Sequence, residues 1–260
     1  MSTLAEAFFL IHDGLPRQGP GSDEVTREAL SRLRRAGLDE LLKTRERPRV
    51  LDLGCGPGMQ TLELARSLGV LITAIDLHAP FVEALRVAAS EQGLASRVDA
   101  RVGDFASLTS LNEPPGSVAL LWSEGAIYIL GFQAGLERWR PLLRAGGLAA
   151  VSEATWLTAS PEPEPAAFWR EAYPTMGTVP SNTAAARAAG FDVIDAFELP
   201  EQAWWDFYYA PLLDRVKILR PRAAEASDLA AAIAETEREI ELYRRFGRSY
   251  GYVFYLMRAA

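Results

Sequence analysis

Apolar positions along this chain fall into two alternating patterns. Short apolar-rich runs at Val50–Leu53, Val70–Ile75, Arg97–Val102, Ser117–Trp122 and Leu148–Glu153 predict five buried strands. Between them, apolar residues three and four apart predict helices over Thr61–Leu68, from Pro80 to Gly93, and over Phe132–Leu143. A helix is predicted ahead of the first strand from Asp23 to Leu42, where Ser22 suits an N-cap and Val25, Ala29, Leu30 and Leu33 form an apolar face. Strand and helix in strict alternation predict a doubly wound α/β sheet with parallel strands.

The alternation stops at Pro161-Glu162-Pro163-Glu164-Pro165, which reads as a stiff acidic bend. Ser181 then caps a short helix ending at Gly190, and Phe191–Leu199 supplies a sixth strand. The last strand, Tyr250–Met257, returns only after a helical excursion over 201–247, a route that predicts an antiparallel partner for its predecessor. The chain is thus expected to be a single domain over 1–260, with an N-terminal arm at 1–22 and insertions at 155–180 and 201–247 that form a helical lid. Large aromatic residues crowd the insertions: Trp204, Trp205, Phe207, Tyr208 and Tyr209 in one, Trp156, Phe168, Trp169 and Tyr173 in the other. They can pack an accessory core, and a subset can line an aromatic or apolar pocket.

The first strand breaks into Gly54-Cys55-Gly56-Pro57-Gly58 and runs on into a helix. Strand, tight glycine turn and helix make a cradle in which a ligand can lie against the main chain. Asp76, about 20 residues beyond the glycines at the end of the second strand, is placed to accept hydrogen bonds from ribose hydroxyls. The spacing is G-x-G-x-G rather than the dinucleotide G-x-G-x-x-G, and Asp52 stands two residues ahead. A carboxylate there repels a pyrophosphate and attracts a cationic aminoacyl group.

With these residues the sequence resembles the class I, Rossmann-like S-adenosylmethionine-dependent methyltransferases, whose first motif is similar to Leu51-Asp52-Leu53-Gly54-Cys55-Gly56-Pro57-Gly58 and whose third is similar to Gly103-Asp104-Phe105. The segment Arg17-Gln18-Gly19-Pro20-Gly21-Ser22 resembles one that precedes the first helix in a bacterial small-molecule branch, where the arm folds over the cofactor. The resemblance implies a seven-stranded, mostly parallel sheet with an antiparallel last strand, and S-adenosylmethionine as cofactor. It implies a donor site of Arg17, Gln18, Gly19, Asp52, Gly54, Cys55, Gly56, Gly58, Gln60, Thr61, Asp76, Leu77, Gly103, Asp104, Phe105, Ser123 and Glu124, with Asp104 at the adenine amino group and Phe105 against its ring. His78 is expected to border the adenosine.

Composition narrows the acceptor. A net charge of −7, from 27 basic and 34 acidic residues, disfavours nucleic acid, whose binding rests on phosphate neutralisation. An Asn-Pro-Pro-Tyr-like segment of the amino-methylating DNA enzymes is replaced by Ser123-Glu124-Gly125-Ala126, which argues for a small molecule. Cys55 cannot form an internal disulfide, no run approaches the length of a membrane span, and the N-terminus lacks a secretory pattern; a cytoplasmic monomer or homodimer is expected. Two dispersed histidines and one cysteine make no metal site. Where a proton has to leave the nucleophile, His12, Glu124 and Glu153 are candidate bases, and Tyr128 is a candidate orienting donor. Two other readings fit a nucleotide cradle: a nucleotide-dependent oxidoreductase and a non-catalytic adenosyl-binding protein.

Overall fold

Seven strands, β1 (Arg49–Leu53), β2 (Ile72–Asp76), β3 (Val98–Val102), β4 (Val118–Glu124), β5 (Leu143–Trp156), β6 (Phe191–Glu198) and β7 (Tyr250–Ala259), form one sheet in the order β3-β2-β1-β4-β5-β7-β6. The computed structural model describes residues 4–43 and 48–260. Strands β3 to β5 pair in parallel, and β7 lies antiparallel between β5 and β6. This is the Rossmann-like, doubly wound sheet expected from the sequence, including its reversed last strand.

Among the described residues the α-helices are α1 (Leu4–His12), α2 (Asp23–Arg35), α3 (Leu38–Leu42), α4 (Met59–Leu68), α5 (Ala79–Glu91), α6 (Leu108–Leu111), α7 (Phe132–Trp139), α8 (Pro163–Ala172), α9 (Val179–Ala188), α10 (Glu201–Trp204), α11 (Ala210–Ala223) and α12 (Ser227–Phe246). A π-helical turn, Trp205–Tyr209, joins α10 to α11. The pleat sends alternate side chains to opposite faces. Val50, Leu120, Trp122, Leu148 and Ala150 meet α2, α4 and α5 on one face, while Leu51, Leu121, Ala149 and Val151 meet α7 and α9 on the other. A third apolar cluster joins α1 to α10, α11 and α12, where Trp204 stacks on Tyr243 with ring centroids 4.1 Å apart.

Four local expectations are corrected. The helix expected over Asp23–Leu42 is split by Gly37, whose φ of +90° is left-handed, into α2 and α3. The fifth strand, expected from Leu148, begins at Leu143 and takes in Arg144-Ala145-Gly146-Gly147, with a register shift against β4 at Val118/Leu120. The second half of the acidic proline segment, Pro163-Glu164-Pro165, is the first turn of α8 with Glu162 as its N-cap, because Pro163 at the first helical position has no amide that the helix needs. Thr178, not Ser181, caps α9: its side chain accepts from the Ser181 amide, and Ser181 closes the reciprocal capping box. A fifth element was unforeseen, the helical form of the aromatic arm, α1.

Candidate functional site

Beyond the carboxyl ends of β1, β2 and β4 lies a cavity of about 430 Å³, roofed by the arm and α1. Its floor is the glycine turn. Gly54 sits at φ +73°, and a Cβ there would stand 2.4 Å from the Ala126 Cβ, so turn and β4 loop touch main chain to side chain. Gly54 and Cys55 donate their amides to the Ile75 carbonyl at 2.8 and 3.1 Å, which pins the turn to β2. The next amide, Gly56, donates to Asp76 Oδ2 at 2.9 Å, and His78 donates to Oδ1 at 2.8 Å. Asp76 is therefore fixed at the cavity wall with each carboxylate oxygen holding one donor and able to accept another.

Of the candidate site residues, Arg17, Gln18, Gly19, Gly54, Cys55, Gly56, Gln60, Asp76, Leu77, Asp104, Phe105, Glu124 and Tyr128 are brought together around this cavity. Asp52, Gly58, Thr61, Gly103, Ser123 and Glu153 do not, and the reasons differ. Asp52 points from β1 into the α4 side of the sheet and is fully buried, with Oδ2 accepting from the Thr61 hydroxyl at 2.5 Å. Burial pushes its carboxyl up to about 7 against the opposing pull of the Thr61 bond. Asp52 and Thr61 thus brace the turn from below, and Asp52 Oδ1 is buried without a partner. Gly58 leaves room for packing, since a Cβ would meet Leu85 Cδ1 at 2.2 Å, and Ser123 donates to the Leu53 carbonyl at 2.8 Å.

Glu124 is a structural clamp, a correction to its expected role as a base. Its carboxylate accepts from Arg17 Nη1 at 2.8 Å, Thr26 Oγ1 at 2.8 Å and Trp122 Nε1 at 2.9 Å, which leaves it committed to existing donors. The pair with Arg17, both side chains 5% exposed, ties the arm to the end of β4, and Asp23 adds a second acid to the same guanidinium at 3.3 Å. His12 is also displaced from the expected role. It faces away from this cavity, stacks on Phe8 and places Nε2 3.2 Å from the Tyr208 hydroxyl. Glu153 lies behind Tyr173, the hydrogen-bonding neighbour of its carboxylate, and burial raises it to about 8; Tyr173 in turn meets Tyr128 edge-on at 6.0 Å.

Two orphaned atoms mark one end of the cavity. Arg17 Nε, a donor, and Gln18 Oε1, an acceptor, are buried without partners, although both side chains line the space. At the other end are aromatic walls that the sequence reading largely missed. Phe9 of α1 lies flat on His78, centroids 3.9 Å apart and planes at 1°, and Phe81 closes the corner at 4.5 Å from His78. The period-3.6 signal in the short α1 marks a helix but not which residues across the fold it meets. Among the described residues no group of three or more His, Cys, Asp or Glu could hold a metal ion, and no helix is long and apolar enough to cross a membrane.

A donor with the opposite polarity at its two ends matches this cavity, and comparisons with known proteins agree in kind. The methyltransferase domain family matches residues 50–147. YjhP of Escherichia coli (strain K12), an uncharacterized protein, is 31% identical over 178 residues, which cover 67% of this chain and 69% of that protein. The crystal structure of an S-adenosylmethionine-dependent methyltransferase from Geobacter sulfurreducens, solved with S-adenosyl-L-homocysteine, superposes with a TM-score of 0.76 at 21% identity over 100% of both chains. The YjhP structure superposes with a TM-score of 0.76 at 23% identity, over 98% of this chain and 99% of that one.

Proposed function

This chain belongs to the methyltransferase domain family, and from that premise we propose that it transfers a methyl group from S-adenosylmethionine to a small-molecule acceptor. The observation that carries the donor assignment is the orphaned pair at the arm. An aminoacyl tail presents a carboxylate to Arg17 Nε and an ammonium to Gln18 Oε1, and it satisfies two buried polar atoms that otherwise cost about 1–3 kcal/mol each. Asp76 takes the ribose hydroxyls on its free lone pairs, and the Phe9, His78, Phe81 and Phe105 walls take the adenine.

When bound, S-adenosylmethionine supplies a methyl group on a positively charged sulfur. The chain's own part is alignment and exclusion of water. Arg17, clamped by Glu124, holds the arm closed over the cavity, and the α1 aromatics seal its rim. Tyr128, on the loop after β4 and 43% exposed, faces the cavity as the orienting group for the acceptor. Glu153 acts through Tyr173 as a positioning residue, since burial keeps it protonated below about pH 8. The 201–247 insertion lines the neighbouring cavity beyond Phe8, and Tyr173 of the 155–180 insertion meets Tyr128 edge-on.

The tail assignment is tested by comparing S-adenosylhomocysteine with adenosine in calorimetric titrations. Gln18→Ala is expected to weaken S-adenosylhomocysteine binding about tenfold, the loss of one charge-assisted hydrogen bond, and to leave adenosine affinity unchanged. Equal losses for both ligands contradict the assignment of Gln18 to the aminoacyl end.

A further inference from the structure

A second cavity, of about 400 Å³, opens on the far side of Phe8, whose side chain lines both spaces. It is built by α1, the π-helical turn, α11 and α12, all outside the sheet. Its walls are apolar, from Phe8, Ile11, Leu212 and the small residues Ala231 and Ala232 of α12. Its polar groups are His12, Tyr208, Thr236 and two carboxylates, Glu235 and Glu239. The π turn carries both tyrosines inward: the Tyr208 hydroxyl meets His12 Nε2, and the Tyr209 hydroxyl donates to Glu239 Oε1 at 2.8 Å.

The charges are one-sided. Neither lysine nor arginine is among the residues that line the space, and burial lowers the His12 pKa, which favours the neutral ring. Burial raises Glu239, a carboxyl held where water cannot fully solvate its anion. Glu235 at the rim is already paired with Arg238 at 3.6 Å, whereas Glu239 has no ion pair among the described residues. An ammonium group offsets the desolvation of Glu239, and an occupant bearing carboxylate or phosphate meets like charge there.

We propose that this second cavity binds an organic ammonium group carried on an aromatic or apolar body, the cationic end of the molecule that the donor cavity methylates. The link to methylation rests on the function proposed above. An ammonium paired to Glu239 has no free lone pair, so the methylated atom lies elsewhere in that molecule, on the part that passes Phe8 towards Tyr128.

Phenethylamine, 2-phenylethanol and 3-phenylpropionate test the assignment, because they share a ring and differ in charge. In calorimetric titrations of the full chain, phenethylamine is expected to bind with a Kd of roughly 0.1–1 mM, and the other two at least about tenfold more weakly. Glu239→Gln, which keeps an acceptor for Tyr209, is expected to lower phenethylamine affinity about tenfold, and Ala231→Trp, at an exposed rim position, to abolish binding by filling the space. S-adenosylhomocysteine affinity, read on the same samples, reports that the fold is intact. Equal binding of the alcohol and the amine, no binding of phenethylamine, or binding that survives Ala231→Trp overturns the proposal. Amine binding in a protein that ignores S-adenosylhomocysteine instead overturns the donor assignment and leaves the ammonium site standing.

Discussion

Gly54→Ala is expected to destabilise the protein by about 2–5 kcal/mol and to remove measurable affinity for S-adenosylhomocysteine. Two costs combine. The left-handed φ of +73° costs an alanine about 1–2 kcal/mol, and the new methyl, 2.4 Å from the Ala126 Cβ, adds an overpacking cost of about 1–3 kcal/mol. Relief by shifting the turn breaks the two amides held by the Ile75 carbonyl, and with them the position of the Gly56 amide against Asp76. The double variant Gly54→Ala/Ala126→Gly removes the clash and keeps the strained backbone, so urea denaturation should return the overpacking share alone. A double variant no more stable than Gly54→Ala contradicts the claim that contact with the β4 loop is what demands glycine here.

Glu153→Gln is expected to be more stable than the wild type at pH 8.5 by about 2–4 kcal/mol, and to differ little from it at pH 4. Burial raises the folded Glu153 carboxyl from 4.5 to about 8. The folded state therefore binds this proton more tightly than the unfolded one. Its contribution to stability is fully present below the unfolded value and is lost as pH rises towards 8. Asp52, raised from 3.8 to about 7, adds a loss of the same sign over a lower window. Ligand-free stability should thus decline between about pH 4.5 and pH 8, and Glu153→Gln should flatten the upper part of that decline. Denaturation midpoints across this range decide the matter; a variant less stable than wild type at pH 8.5 shows that the carboxylate is welcome where it sits.

The cradle was legible because its chemistry is local. Glycine spacing and the acid at Asp76 lie within about 25 residues of one another, and each run of the alternation shows its own period over a few residues, the range at which backbone sterics act. The reversed β7 was also legible, from the length of the route leading to it. Side-chain fate was harder to read. Glu124 lies at the carboxyl end of β4, where topology points at a ligand, yet its partners Arg17 and Thr26 are 107 and 98 residues away and consume its oxygens. Asp52 carries the right charge, but the pleat aims it at Thr61 beneath the turn. His12 sits in the arm that covers the site, and helix α1 decides which side it faces: Phe9 is turned towards the donor cavity, His12 towards the second one. Such outcomes depend on which long-range neighbour is met, and a single sequence holds no periodic trace of that.

The central claim is that the cavity above Gly54–Gly58 is built for S-adenosylmethionine. Calorimetric titration of the ligand-free chain with S-adenosylhomocysteine, beside a parallel titration with NAD, tests it most directly. The predicted result is saturable one-to-one binding of S-adenosylhomocysteine with a Kd below roughly 100 μM, worth more than about 5 kcal/mol, and no heat from NAD. Saturation by NAD with no response to S-adenosylhomocysteine would contradict it.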